Sequence, residues 1–328
     1  MTLFLWIIVF CVSVAVLIKG ADWFTESAEK IGLAFKISPF IIGVTIVALG
    51  TSLPELASSV AAVLKQNTEI VTANAIGSNL ANILLVIGLA SLFGGTLIVR
   101  RSLINLDLPL LASTTVLCLF CVIDRRITRF EAIILILAYL IYLAYTIIQR
   151  KGTKEEIKET MEVLPSREER RKEESKKIEG LGWKVFFFLI LGAVLLYFGA
   201  NYTIDSVVKL SGLLAIPTSV IAILALAIGT SLPELVVSVR AAMHKKYEMG
   251  LGNILGSNIF NILLVIGIPG LISTLFLDET TFRIGVPFLV VATVLFVISG
   301  ISRRIHVWEG AMYLLIYILF IGMLFGFV

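Results

Sequence analysis

Two glutamates, Glu55 and Glu234, stand near the middle of long apolar stretches, and the same four residues, Thr-Ser-Leu-Pro, precede each of them. A charged side chain at bilayer depth costs at least about 2.5–3.5 kcal/mol, so a carboxylate kept there points to a cation or proton site. The spacing supplies company. Ala48, Thr51, Ser52 and Glu55 fall at i, i+3, i+4 and i+7, one face of a helix, and Ala227, Thr230, Ser231 and Glu234 repeat that stripe. Further on, Asn74, Ser78 and Asn82 are spaced i, i+4, i+8, as are Asn253, Ser257 and Asn261. The donors so collected are all oxygens: two carboxylates, hydroxyls, amides and backbone carbonyls. Hard oxygen donors suit Ca2+, Na+ or Mg2+ and argue against Zn2+ or Cu+. Two carboxylates neutralise one divalent ion or share their charge among monovalent ions, and competition for one charge pair is a physical basis for exchange. Pro54 and Pro233 remove an N–H one residue before each Glu and predict a break that frees the Gly50 and Gly229 carbonyls. Unwound backbone at membrane depth is tolerated where it lines a cavity.

The elements that position these residues follow from composition. The 328 residues are 58% hydrophobic and 15% charged, with a mean hydropathy of +1.00. An average soluble domain carries about 25% charged residues. Residues 150–179 alone hold ten of the 27 Lys and Arg and nine of the 23 Asp and Glu. What is left is too apolar for a soluble enzyme, a disordered chain or a nucleic-acid binder. It reads as an all-α polytopic membrane protein with spans near 3–24, 38–64, 70–94, 103–122, 130–149, 183–205, 216–243, 250–275, 284–301 and 307–327. The first five form one unit (1–149), a charged, partly helical linker follows (150–181), and the last five form a second (182–328).

The two units are copies. Gly50-Thr-Ser-Leu-Pro-Glu-Leu56 recurs letter for letter as Gly229-Thr-Ser-Leu-Pro-Glu-Leu235, an offset of 179. The same offset carries Gly77-Ser78-Asn79 onto Gly256-Ser257-Asn258, Asn82 through Gly88 onto Asn261 through Gly267, and Gly20-Ala21 onto Gly199-Ala200. Five spans per copy is odd, so ten transmembrane helices would form two inverted five-helix repeats about an axis in the membrane plane. Inversion would bring the four polar stripes together at the midplane. With the N-terminus outside, twenty Lys and Arg fall on the cytoplasmic side, linker included, and six outside, which fits the positive-inside bias. The cluster Arg125, Arg126 and Arg129 is the exception.

Several residues read more plainly. Cys118 and Cys121 are small apolar helix residues, and His244 and His306 sit at span ends. Asp22 and Glu26 also lie near a span end, where solvation or capping is the expected role and a place on the ion path the alternative. Ser59 and Ser238 extend the Glu stripes by one turn along a possible access route. Trp6, Trp23, Trp183 and Trp308 fall where an aromatic belt would place them.

The doubled Gly-Thr-Ser-Leu-Pro-Glu, followed by Gly-Ser-Asn-x-x-Asn, resembles the α-repeats of the sodium/calcium exchanger family, part of the cation/calcium antiporters. The resemblance covers the whole chain and implies alternating access at a midplane site where Na+ and Ca2+ compete. Carried over, it makes Glu55 and Glu234 the shared carboxylates. Thr51, Ser52, Ser78, Thr230, Ser231 and Ser257 would give side-chain or backbone oxygens, Ala48 and Ala227 backbone carbonyls, and Asn82 and Asn261 would complete the set. It implies transported Ca2+ and Na+ with no cofactor, a plasma-membrane location, a monomeric unit, and first and sixth spans that slide against the rest. Asn261 resembles the K+-independent branch, which lacks an Asp there. The short linker resembles prokaryotic members without the regulatory insertion. The proton-coupled branch carries Gly-Asn-Ala-x-Glu in place of Thr-Ser-Leu-Pro-Glu, so the motif here favours Na+ coupling.

Rival readings keep or discard the site. An H+/Ca2+ antiporter would use the same carboxylates, since a proton relieves the repulsion of a buried pair. A passive cation channel would need a pore ring that the repeat does not supply. A membrane enzyme would need a nucleophile elbow, and Thr-Ser-Leu-Pro-Glu is not Gly-x-Ser-x-Gly.

Overall fold

The computed structural model describes residues 3–34, 39–64, 66–99, 107–149, 182–213 and 231–326. The linker at 150–181 and the first part of the 216–243 span lie outside them, and so do two candidate site residues, Ala227 and Thr230.

The described chain is almost entirely helical. Helix α1 is Leu3–Ala34. Helix α2 runs over residues 39–64 with a π-helical turn at Gly43–Val47, and α3 over 68–94 with one at Ala81–Val86. Helices α4 (Leu108–Val122) and α5 (Arg129–Gln149) close the first unit. In the second, α6 is Trp183–Leu213, α7 is Leu232–Met243, and α8 spans 247–272 with a π-helical turn at Asn261–Val265. Helix α9 spans 281–301 and α10 is Val307–Leu324. Seven of the described helices are long and apolar enough to cross a membrane.

Helices α1 and α6 run about ten and eight residues beyond the apolar spans read from sequence. Hydropathy measures preference for lipid, not for helix. Beyond residue 24 the chain turns polar but stays helical, supported by the i,i+4 pair Lys30–Glu26 at 2.7 Å. Trp23 is therefore not at a helix end. It packs edge-on against Phe188, 5.1 Å between centroids, with the Lys19 ammonium 5.2 Å from its ring.

Contacts between the units are reciprocal. A Cβ on Gly20 would lie 2.9 Å from the Leu196 nitrogen, and one on Gly199 would lie 2.8 Å from the Leu17 nitrogen, so α1 and α6 touch backbone to backbone at two equivalent points. Two-residue strands follow the same rule. β1 (Leu97–Ile98) pairs antiparallel with β4 (Arg304–Ile305), and β2 (Arg126–Ile127) with β3 (Leu275–Phe276). Leu97 faces Ile305 and Leu275 faces Ile127, an exchange under an offset of 178, one residue having been lost after the second motif. Equivalent residues also meet directly: Thr115 and Thr293 share a hydroxyl contact at 3.3 Å, and the Asn79 amide donates to the Asn258 carbonyl at 3.1 Å. Residue i meeting j while the copy of j meets the copy of i is how an approximate two-fold packs its halves.

Packing is graded. In α3 and α8, 72% and 83% of the apolar window is buried, against 22% in α5 and α10. The motif-bearing helices thus occupy the middle, and α5 and α10 present apolar flanks such as Leu137, Ile141 and Leu315 outward. A second, smaller core of Leu17, Ala21, Phe24, Ala28 and Leu196 joins α1 and α6 to Ile42, Val47, Val237 and Met249.

Candidate functional site

The site forms where α2, α7 and α8 cross beside α3. On α2 the predicted stripe is buried along its length: Ala48 and Thr51 are each 1% exposed, and Ser52 and Glu55 are fully enclosed. Leu53, on the opposite side of the same turn, is 54% exposed, so the stripe faces inward because the residues between its members are the lipid-compatible ones. On α7, Glu234 is fully enclosed.

The two carboxylates meet. Ser52, one turn before Glu55 on the same helix, donates its hydroxyl to Glu234 Oε1 at 2.8 Å and lies 2.9 Å from Ser257 Oγ on α8. The hydroxyls of Thr51 and Ser257 also face the Glu234 carboxylate, and the charges of Glu55 and Glu234 are near enough to interact. Thr51 Oγ1 is 3.2 Å from Asn253 Oδ1 and 3.4 Å from the Ala48 carbonyl.

Several enclosed polar atoms have no protein partner among the described residues: both carboxylate oxygens of Glu55, Oε2 of Glu234, Oγ of Ser231, and both side-chain polar atoms of Asn82 and of Asn261. Buried polar groups are normally paired, and each exception calls for a reason. These exceptions include five carboxylate and amide oxygens and one hydroxyl, the kind of donor a hard cation takes. Among the described residues no group of three His, Cys, Asp or Glu side chains is placed to hold a metal ion, so the carboxylates here are the two glutamates. Ser78, on α3, is buried. Ten of the twelve candidates are among the described residues and all ten are buried; contacts join Glu55, Glu234, Thr51, Ser52, Ser257 and Ala48, and Ala227 and Thr230 lie outside the described residues.

The proline reading needs correction. Pro54 sits inside a continuous α-helix, Ala48–Leu64, with no break at Gly50. A proline removes one hydrogen bond, and an enclosed helix tolerates the loss where neighbours re-satisfy the freed group. Pro233 instead occupies the first turn of α7, where its missing N–H is harmless, and Ser231 precedes it in a non-helical conformation. Gly229, whose carbonyl the sequence reading also expects to be freed, lies outside the described residues; among those described, irregular backbone also occurs in π-helical turns. One contains Asn82, and another starts at Asn261. Such turns reset the face that later residues present and are frequent at functional sites.

Two further pairs extend the polar stripes. Asn253 donates from Nδ2 to Ser238 Oγ at 2.9 Å, and Asn74 donates to Ser59 Oγ at 3.4 Å, the equivalent pair in the other half. Asp22 is not a solvated cap. It accepts two hydrogen bonds from Arg240, at 2.9 and 2.8 Å, beside a cavity of about 270 Å³ lined by Lys19, Trp23, Glu26 and His244.

Comparison with known proteins gives the family. A family profile described as sodium/calcium exchanger protein matches residues 5–148 and 184–326. The sodium/calcium exchanger MaX1 of Methanosarcina acetivorans is 31% identical over 334 residues, 94% of this chain and 95% of that protein. The inner membrane protein YrbG of Escherichia coli is 30% identical over 80% of this chain and 78% of its own. Structures of the sodium-calcium exchanger NCX_Mj superpose with a TM-score of 0.79 at 28% identity, covering 98% of this chain and 99% of that one. With this coverage in both halves, the chain belongs to the sodium/calcium exchanger family of integral membrane transporters and is not an enzyme.

Proposed function

We propose that the chain is a secondary antiporter that exchanges Na+ for Ca2+ by alternating access at the Glu55–Glu234 site. A cation/Ca2+ antiporter follows from the family; Na+ as the coupling ion is the finer step. The observation that carries the reading is the pairing of two enclosed carboxylates from duplicated motifs, three of whose four oxygens have no partner among the described residues.

The mechanism rests on charge. A Ca2+ ion held by Glu55 and Glu234 balances both carboxylates and takes its remaining oxygens from Thr51, Ser52, Ser231, Ser257, Asn82, Asn261, Ser78 and the Ala48 carbonyl; in the duplicated stripe Thr230 and Ala227 stand in the equivalent places. Na+ ions that occupy the same carboxylates leave no charge for Ca2+, so the loads alternate and do not travel together. Ten spans in two inverted five-helix units, 1–149 and 182–328, with the N-terminus outside, the 150–181 linker cytoplasmic and one chain as the working unit in the plasma membrane, complete the proposal. The reciprocal contacts of α1 with α6 and of the strand pairs support the two-fold relation.

Counter-ion dependence tests it. In proteoliposomes, Ca2+ uptake should follow an outward Na+ gradient and stop when K+ or choline replaces Na+. Uptake driven by a pH gradient without Na+ would assign the site to H+/Ca2+ exchange; uptake needing neither ion would point to a channel.

A further inference from the structure

The amide of Asn253 spans two helices beside the carboxylate pair, and its direction is fixed from the far end. Gly250 offers a backbone carbonyl, which only accepts, 3.4 Å from Ser238 Oγ. The single Ser238 proton is therefore committed to that carbonyl, and Ser238 Oγ accepts from Asn253 Nδ2 at 2.9 Å. That leaves Asn253 Oδ1 toward Thr51, so the Thr51 hydroxyl is the donor across the 3.2 Å contact. Its other neighbour at 3.4 Å, the Ala48 carbonyl, is also only an acceptor. The Thr51 hydroxyl also faces the Glu234 carboxylate, so Asn253 Oδ1 and the Ala48 carbonyl compete with that carboxylate for its single proton. Asn253 and Ser238 are both fully enclosed, so no bulk water competes for these bonds. The other half carries the same amide-to-hydroxyl link, Asn74 to Ser59.

We infer that Asn253 is a positioning residue that draws off the Thr51 hydroxyl proton, so that Thr51 presents only lone pairs to the transported cation. The inference rests on the Glu55–Glu234 site being the cation site. A hydroxyl free to rotate would turn its proton toward the carboxylates, as Ser52 does toward Glu234, and would have to be turned back before it could ligate a cation. The Asn253 chain performs that turn in advance. Ser238 acts one link further out, anchoring the amide.

A double-mutant cycle on the full-length protein in detergent separates positioning from simple packing. The readout is the Ca2+ concentration giving half-maximal thermal stabilisation, measured for the wild type, Asn253→Leu, Thr51→Val and the double variant. Asn253→Leu should raise that concentration about tenfold, the equivalent of one hydrogen bond to a charged group. In the Thr51→Val background the same substitution should raise it by less than about twofold, because the residue through which Asn253 acts is gone. A tenfold effect in both backgrounds, or none in either, overturns the assignment. If Asn253→Leu does not fold, Ser238→Ala takes its place, with a shift of about threefold that must likewise vanish with Thr51→Val. Glu234→Gln is the control for the underlying site. A wild type without a Ca2+ response, or a full response in Glu234→Gln, overturns the site reading itself, whereas additive effects in a responding protein overturn only the role of Asn253.

Discussion

Glu55→Gln should make the cation-free protein more stable and the Ca2+-loaded protein less so. Both Glu55 oxygens are fully enclosed and unpartnered among the described residues, while Glu234 has the Ser52 hydroxyl on one of its own. An unsatisfied buried polar group costs about 1–3 kcal/mol and more when charged, and replacing a buried charge by a neutral group is often neutral or stabilising. The substitution keeps the shape and removes the repulsion from Glu234, so about 1–2 kcal/mol of stability should be gained without cation, a rise of about 2–4 °C in Tm. With Ca2+ at a hundred times Kd, the wild type should gain about 2.7 kcal/mol by mass action. The variant has lost half of the site's charge and should gain less than about 1 kcal/mol under the same conditions. The two melting curves should therefore change order: variant above wild type in chelator, below it in Ca2+. Differential scanning fluorimetry in detergent reads both. A variant that melts lower in chelator and keeps the full Ca2+ increment would refute the reasoning, because Glu55 would then be a structural partner and not an unsatisfied cation ligand.

Ser52→Ala removes the hydroxyl that donates to Glu234 at 2.8 Å and the bridge to Ser257; Ca2+ affinity should fall by about 1.5–3 kcal/mol, at least tenfold, as read by calorimetric titration. Gly199→Ala places a Cβ 2.8 Å from the Leu17 nitrogen and should cost about 1–3 kcal/mol by forcing α1 from α6, whereas Gly77→Ala, with nothing within 4 Å of the added atom, should leave the melting temperature unchanged or slightly raised. Asp22→Ala leaves the Arg240 guanidinium without its two-bond partner and should destabilise by about 1–2 kcal/mol; the loss should shrink in high salt, and unfolding at two ionic strengths checks both points.

The sequence is legible where its chemistry is doubled. A conserved spacing between copies marks Glu55 and Glu234, and helical periodicity marks Ala48, Thr51 and Ser52 as one inward face; burial of all four on α2 agrees. Periodicity is silent on three other matters. It assumes 3.6 residues per turn, so the π-helical turns at Ala81–Val86 and Asn261–Val265 leave no trace in it. It measures apolarity, so it ended the first span near Trp23 although the helix continues to Ala34. It sees one helix at a time, so the pairing of Asp22 with Arg240, 218 residues away, and of Asn253 with Thr51, 202 residues away, depends on packing that brings distant helices together. Pro54 is instructive in another way. The residue type predicts a break, but the helix Ala48–Leu64 continues through Pro54, and Pro233 stands in the first turn of a helix.

The most direct test is to see the ion. Crystals grown or soaked with Ca2+, or with Sr2+ for its anomalous signal, should show one peak with oxygens of both Glu55 and Glu234 at about 2.3–2.6 Å for Ca2+ and the Asn82 and Asn261 side chains turned toward it. A strong peak bound elsewhere, with the two carboxylates apart or aimed into hydrocarbon, would contradict the account at its root.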